Sequence, residues 1–117
     1  MIKLTISEQQ IEDATILHLD GDVTFGDGNT TLRNAVRRLL AEDKRKIHLN
    51  LRAVRYVDSS GIGEFISSLT AIDRAGGQLK LFNLPPRVKE LLLISKLLSV
   101  FDITEEQNFF AESSCRV

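Results

Sequence analysis

Tryptophan is missing from this 117-residue chain, cysteine occurs once and proline twice. No apolar run approaches the roughly 20 residues that a membrane-spanning helix needs. Each absence removes a class of function. The single cysteine, Cys115, lies in the polar C-terminal stretch, which rules out an internal disulfide and a cysteine metal cluster and favours a reducing compartment. The two histidines, His18 and His48, add no metal-ligand spacing, so neither a metal nor another cofactor is expected. The opening Met1-Ile2-Lys3-Leu4-Thr5 lacks the apolar core and cleavage site of a signal peptide, so the expected location is the cytoplasm. Charge of one sign is also lacking: 15 Lys and Arg stand against 16 Asp and Glu, for a net charge of -1. That balance gives no electrostatic footprint for nucleic acid or an anionic membrane, and points to proteins or small molecules as partners.

What is present is ordinary globular material, with hydrophobic residues at 43% and charged ones at 26%. The length fits one domain over residues 1–117, with a loose tail from about residue 111. Ile2 to Ile6 and Ala14 to Gly21 alternate as half-buried strands do, with Glu8 to Asp13 as a polar connection between them. Asp22 to Thr31 reads as a loop in which Asp27, Asn29 or Thr30 could cap the next helix. Leu32, Ala35, Val36, Leu39 and Leu40 then form the apolar stripe of that helix.

A third strand begins at Ile47-His48-Leu49-Asn50-Leu51 and continues through Val54 to Val57. Ile62, Phe65, Ile66, Leu69 and Ile72 make a second helical stripe, which Gly76-Gly77 ends where a positive φ is needed. Gln78 to Leu84 is a fourth strand, Pro85-Pro86 opens a helix running from about Arg87 to Ser95, and Leu97 to Phe101 suits a short last strand. Thr104-Glu105-Glu106-Gln107 resembles a further helix entrance, with Phe109-Phe110 able to anchor it. Strands alternating with helices predict an α/β fold: a mixed, mostly parallel sheet of four to five strands with about four helices, the N-terminal pair forming an antiparallel hairpin.

In such sheets chemistry gathers where strands end and helices begin, and here that place is Asp58-Ser59-Ser60-Gly61-Ile62-Gly63-Glu64. Free N–H groups and the positive end of a helix dipole tolerate an anion there. Phosphorylation of a serine would add about -1.5 to -2 charges. A partner packed on an uncharged hydroxyl would then have to desolvate a dianion. Residue by residue, a plainer assignment fits as well: Ser59 or Ser60 caps the helix, and the glycines allow close helix–sheet packing.

The run Leu49-Asn50-Leu51, Val54 and Tyr56-Val57-Asp58-Ser59-Ser60-Gly61-Ile62-Gly63 resembles the signature of the STAS domain, named for sulfate transporters and anti-sigma factor antagonists. Leu19-Asp20-Gly21-Asp22, Gly76-Gly77 with Leu79 and Leu81, Asn83-Leu84 with Val88, and Leu97 with Val100-Phe101 extend the likeness over nearly the whole chain. The resemblance implies a single STAS-like domain of the stand-alone type and selects Ser59, directly after the aspartate, as the phosphorylation site, with Ser60 as fallback. It implies an anti-sigma factor antagonist in partner switching, a substrate and binding module rather than an enzyme. The unphosphorylated form would bind an anti-sigma factor that is also a serine kinase and so free a sigma factor; a serine phosphatase would reset the switch. Asp58, Ser60, Gly61, Ile62, Gly63 and Glu64 would form the partner site. Where relatives carry another aspartate after Gly21-Asp22-Val23, this chain has Thr24, and Asp27 is the candidate substitute facing the same partner. A structural or regulatory subunit of another signalling or transport assembly is the alternative within the family.

Two other classes fit less well. A receiver domain phosphorylated on Asp58 needs an acidic pair ending its first strand to hold magnesium, whereas Glu12-Asp13 precedes a strand. A serine hydrolase needs a nucleophile elbow of Gly-x-Ser-x-Gly type, which is absent.

Overall fold

The computed structural model describes residues 2–104. Its elements follow the order β1 (Thr5–Ile11), β2 (Ala14–Val23), α1 (Asp27–Ala41), β3 (Lys46–Val57), α2 (Ser59–Arg74), β4 (Gln78–Phe82), α3 (Pro86–Ile94), a 3-10 turn at Leu98–Val100, and β5 (Asp102–Thr104). Strands β1 to β5 lie side by side in sequence order. The β1–β2 pair is antiparallel, and the other pairings are parallel. This is the expected mixed, mostly parallel α/β sheet. Three α-helices accompany it among the described residues; Thr104 of the expected helix entrance ends β5 instead, and Glu105 to Gln107, the Phe109-Phe110 anchor and the tail lie outside the described residues.

Sequential strand order has a consequence for layering. Right-handed crossovers that always step in the same direction place every helix on the same face of the sheet. Accordingly Leu17, Leu19, Ile47, Leu49, Leu51, Leu79 and Leu81 join Leu32, Val36 and Leu39 of α1, Ile62, Phe65 and Ile72 of α2, and Val88 and Leu92 of α3 in one buried cluster. The alternate residues face the other way and carry polar groups. There His18 Nε2 meets Gln9 Oε1 at 2.8 Å and its Nδ1 meets Asn50 Nδ2 at 2.9 Å, while Asn83 Nδ2 donates to Asn50 Oδ1 at 2.8 Å. Both histidines are thus parts of strands. Burial holds the His18 pKa below the ordinary histidine value.

Several boundaries differ from the sequence reading, each for a local reason. Residues 8–11, read as part of a polar connection, belong to β1, an edge strand whose side chains mostly face solvent. The turn to β2 is only Glu12-Asp13, with Glu12 at φ 55. Helix α1 starts at Asp27 inside the expected loop. Its N-cap is Gly26, with no side-chain cap, so none of Asp27, Asn29 and Thr30 serves as one. Gly28 is required in its first turn because a Cβ there would lie 2.5 Å from the Asp22 carbonyl oxygen. Gly76, at φ 78, ends α2 as its position predicts. β4 stops at Phe82, since Asn83 turns the chain at φ 58.

Leu49 is fully buried in the central strand. Leu49→Ala is expected to lower the free energy of unfolding by about 2–5 kcal/mol in urea titrations followed by circular dichroism. Gln78→Ala, at an exposed position, should stay within about 0.5 kcal/mol of wild type.

Candidate functional site

The last turn of β3 brings the chain to Asp58, whose backbone is extended at φ -98, ψ -176, so that its side chain can fold back over the start of α2. Asp58 is the N-cap, a role the sequence left to Ser59 or Ser60. Its Oδ1 accepts from the Gly61 N–H at 2.8 Å and from Ser60 Oγ at 2.6 Å, while Oδ2 accepts from the Phe25 N–H at 3.1 Å. One carboxylate therefore holds both the entrance to α2 and the loop between β2 and α1. Burial alone would raise its pKa. The hydrogen bonds from Ser60 Oγ and from the N–H groups of Phe25, Gly61 and Ser60 outweigh that and hold it below the ordinary aspartate value.

The two serines have different surroundings. Ser60 Oγ donates to Asp58 Oδ1 and must therefore accept from Asn29 Nδ2, which lies at 2.9 Å. That fixes the Asn29 amide and leaves its buried Oδ1 without a hydrogen-bond partner among the described residues. Ser59, at the first position of α2, is exposed, and its hydroxyl has no partner among the described residues.

Around the serines the expected partner residues separate into two groups. Ser59, Gly63, Asp27 and the half-buried Asp58 and Ser60 lie at the surface, and a Cβ added at Gly63 would meet nothing within 4 Å. Gly61, Ile62, Glu64 and Thr24 do not present a contact face. A Cβ at Gly61 would stand 2.1 Å from the Val23 carbonyl oxygen, so this glycine serves the packing of α2 on β2. Ile62 belongs to the core. Glu64 is 6% exposed and receives both Nε (3.2 Å) and an NH2 (3.0 Å) of Arg33 on Oε1, an ion pair that locks α1 to α2. Thr24 is buried at the end of β2, with its carbonyl accepting from the Asn29 N–H at 3.1 Å.

Arg33 escaped the sequence reading, and Phe25 and Asn29 entered it as members of the loop expected between β2 and α1, without a role toward Asp58 or Ser60. Asn29 and Arg33 sit on α1, and no pattern in the chain says that this helix faces α2. Phe25 did carry a signal, a large aromatic between Thr24 and Gly26 in a polar stretch. The structure leaves its ring 83% exposed while Asp58 holds its backbone.

The STAS domain model matches residues 5–112. An anti-sigma-B factor antagonist of Bacillus subtilis is 37% identical over 65 residues, which are 56% of this chain and 60% of that protein's length. The chain is also similar to a solved candidate anti-sigma factor antagonist of Thermotoga maritima, with a TM-score of 0.81 at 21% identity, covering 96% of this chain and 95% of that one. A structure of the Bacillus cell fate determinant SpoIIAA in its phosphorylated form gives a TM-score of 0.69 at 15% identity, covering 92% and 98% of the two chains. At these identities the two structures establish a shared fold.

The Asp58 geometry sets a pH dependence. A carboxylate whose folded pKa is depressed stabilises the fold above its unfolded pKa, about 3.9, and loses that contribution as pH falls through the folded value. The amide proton shifts of Phe25 and Gly61 should therefore titrate together with a midpoint below about 3.9; a midpoint at or above it would remove the shared-carboxylate account. Asp58→Ala is expected to cost about 0.5–2 kcal/mol in chemical denaturation.

Proposed function

The chain belongs to the STAS domain family, and on that premise we propose that it is an anti-sigma factor antagonist switched by phosphorylation of Ser59. The observation that carries this reading is the contrast between the two serines. Ser60 is held between Asn29 and Asp58, and a phosphate there would remove the proton that Asp58 accepts and set a dianion directly against its carboxylate. Ser59 offers a free hydroxyl at the surface, beside open space at Gly63, where a kinase can reach it.

The helix entrance also makes the modified form tolerable to the fold. A phosphate on the first residue of α2 lies in the positive field of the helix end. The neighbouring Asp58 carboxylate is already engaged by hydrogen bonds, which offsets part of the repulsion. The main effect of the charge thus falls on a partner. A protein seated over Ser59 and Gly63, with the exposed ring of Phe25 as an anchor, would have to bury an unpaired dianion, at a cost of several kcal/mol. In this reading the partner is an anti-sigma factor with serine kinase activity, release of the complex follows phosphorylation, and a serine phosphatase restores binding. The chain acts as substrate and ligand. Among the described residues no helix is long and apolar enough to cross a membrane.

Incubation with ATP and the serine kinases encoded near the gene, followed by mass spectrometric mapping, should place phosphate on Ser59. Ser60→Ala should still be labelled and Ser59→Ala should not. Label confined to another residue, or none with any of these kinases, would overturn the reading. Ser59→Asp is expected to weaken kinase binding at least about a hundredfold, equivalent to about 2.7 kcal/mol, while Ser59→Ala retains it.

A further inference from the structure

Beside the Asp58 site a groove runs between the end of β3 and α3. One cavity of about 360 Å3 has Val57, Val88 and Leu91 as its floor, Ile94 on its rim, and Arg55, Tyr56 and Arg87 along its side. Arg55, Tyr56 and Arg87 also line the next cavity, which reaches Ile2 and Asp22 at the end of β2, so the two depressions form one path. Two large side chains stand exposed along it, Tyr56 at 59% and Ile94 at 70%.

Two arginines without an ion-pair partner among the described residues meet in this groove, whereas Arg37, Arg52 and Arg74, which also have none, do not line it. Arg33, Arg38 and Arg45 each have a carboxylate partner. Arg55 and Arg87 come from elements 32 residues apart, are exposed, and have no ion pair or hydrogen bond among the described residues. Asp22 lines the second cavity with them, but it is buried, its Oδ2 accepts from the Ile2 N–H at 2.9 Å, and it forms no ion pair with either arginine among the described residues. Arg87 stands in the first turn of α3, where the helix dipole adds positive potential. Glu90, a turn further along the same helix, reverses the sign at the other end. An occupant with acidic groups at the Arg55–Arg87 end and apolar ones over Leu91 and Ile94 fits this arrangement.

We propose that this groove is a second docking surface for the anti-sigma partner, receiving an amphipathic segment that sets carboxylates on Arg55 and Arg87 and large apolar side chains on Val57, Val88, Leu91 and Ile94. The partner's identity rests on the function proposed above; the chemistry of the segment rests on the groove. Helix-in-groove binding of this kind gains affinity from the apolar anchors and orientation from the charges. The groove would select among related partners, while Ser59 switches binding on and off.

The test uses the full chain and the kinase that labels it, with affinity measured by titration calorimetry at several salt concentrations. Arg55→Glu/Arg87→Glu should weaken binding about tenfold or more at low salt and flatten its salt dependence. Arg52→Glu/Arg74→Glu, exposed elsewhere, should leave both unchanged, and circular dichroism controls for folding. Leu91→Ser/Ile94→Ser should weaken binding with the wild-type salt dependence retained. Binding by Arg55→Glu/Arg87→Glu within twofold of wild type, while Ser59→Asp still releases the kinase, would overturn the groove and leave the switch standing. The reverse pattern, with Ser59→Asp binding normally and the arginine variant failing, would overturn the switch and leave the groove. Two further outcomes count against the groove as a protein-docking site. In one, decanoate or inorganic phosphate shifts the Leu91 and Ile94 resonances when the kinase does not. In the other, self-association in sedimentation is lost with Arg55→Glu/Arg87→Glu.

Discussion

One carboxylate ties together two separate pieces of chain. Asp58 accepts from Gly61 and Ser60 on one oxygen and from Phe25 on the other, so the first turn of α2 and the β2–α1 loop share a single anchor. The arrangement explains why the site can be both exposed and well defined. Loops at strand ends are mobile unless their backbone groups find partners. Here the partner is a charged side chain at a helix N-terminus, where a hydrogen-bonded carboxylate is held most firmly. Because Ser60 is drawn into that network, its neighbour Ser59 is left outside it. The same interaction that builds the site thus distinguishes two adjacent, chemically identical residues.

The anchor works only because the elements behind it are rigid. Gly61 lets α2 come against the Val23 carbonyl, a contact that any larger residue would push apart. Glu64 and Arg33 join α1 to α2 one turn further on, where a buried carboxylate is tolerable only with its guanidinium in place. Ile62 and Phe65 bury the same helix into the common core. Sequential strand order puts all three helices on one face, so the α1, α2 and α3 entrances lie along one end of the parallel strands. Phe25, Ser59 and Arg87 each stand at one of those entrances. A broad protein surface can therefore meet all of them at once, which favours a protein over a small molecule as the ligand of this edge.

Much of this was legible in the residues. Alternation in Ala14 to Gly21 and Ile47 to Leu51, the stripes from Leu32 and Ile62, and the proline and glycine punctuation placed most elements within a few positions. Polar edge strands and helices that begin on glycine were not legible, because their cause is lateral: β1 is a strand by pairing with β2, and α1 begins at Asp27 because its first turn fits against Asp22. For the site, Asp58 to Gly63 stood out as a strand-to-helix joint that tolerates an anion, and likeness to a known family chose Ser59. The apolar stripe already turned Ile62 inward, but neither the joint nor the likeness could say that Glu64 and Thr24 are buried.

By itself the sequence determined the fold class, the position of the helix entrance and the absence of an excess charge that would draw nucleic acid, since these depend on local periodicity and composition. Tertiary structure alone decided which serine hydroxyl remains free, which glycine serves packing and which faces open space, and that Arg55 and Arg87 line one groove. Each of those depends on atoms about 30 residues apart meeting within a few ångströms, as Asn29 meets Ser60 and Phe25 meets Asp58. Contacts of that kind leave no period in the chain, because they arise only when the sheet has set its strands side by side.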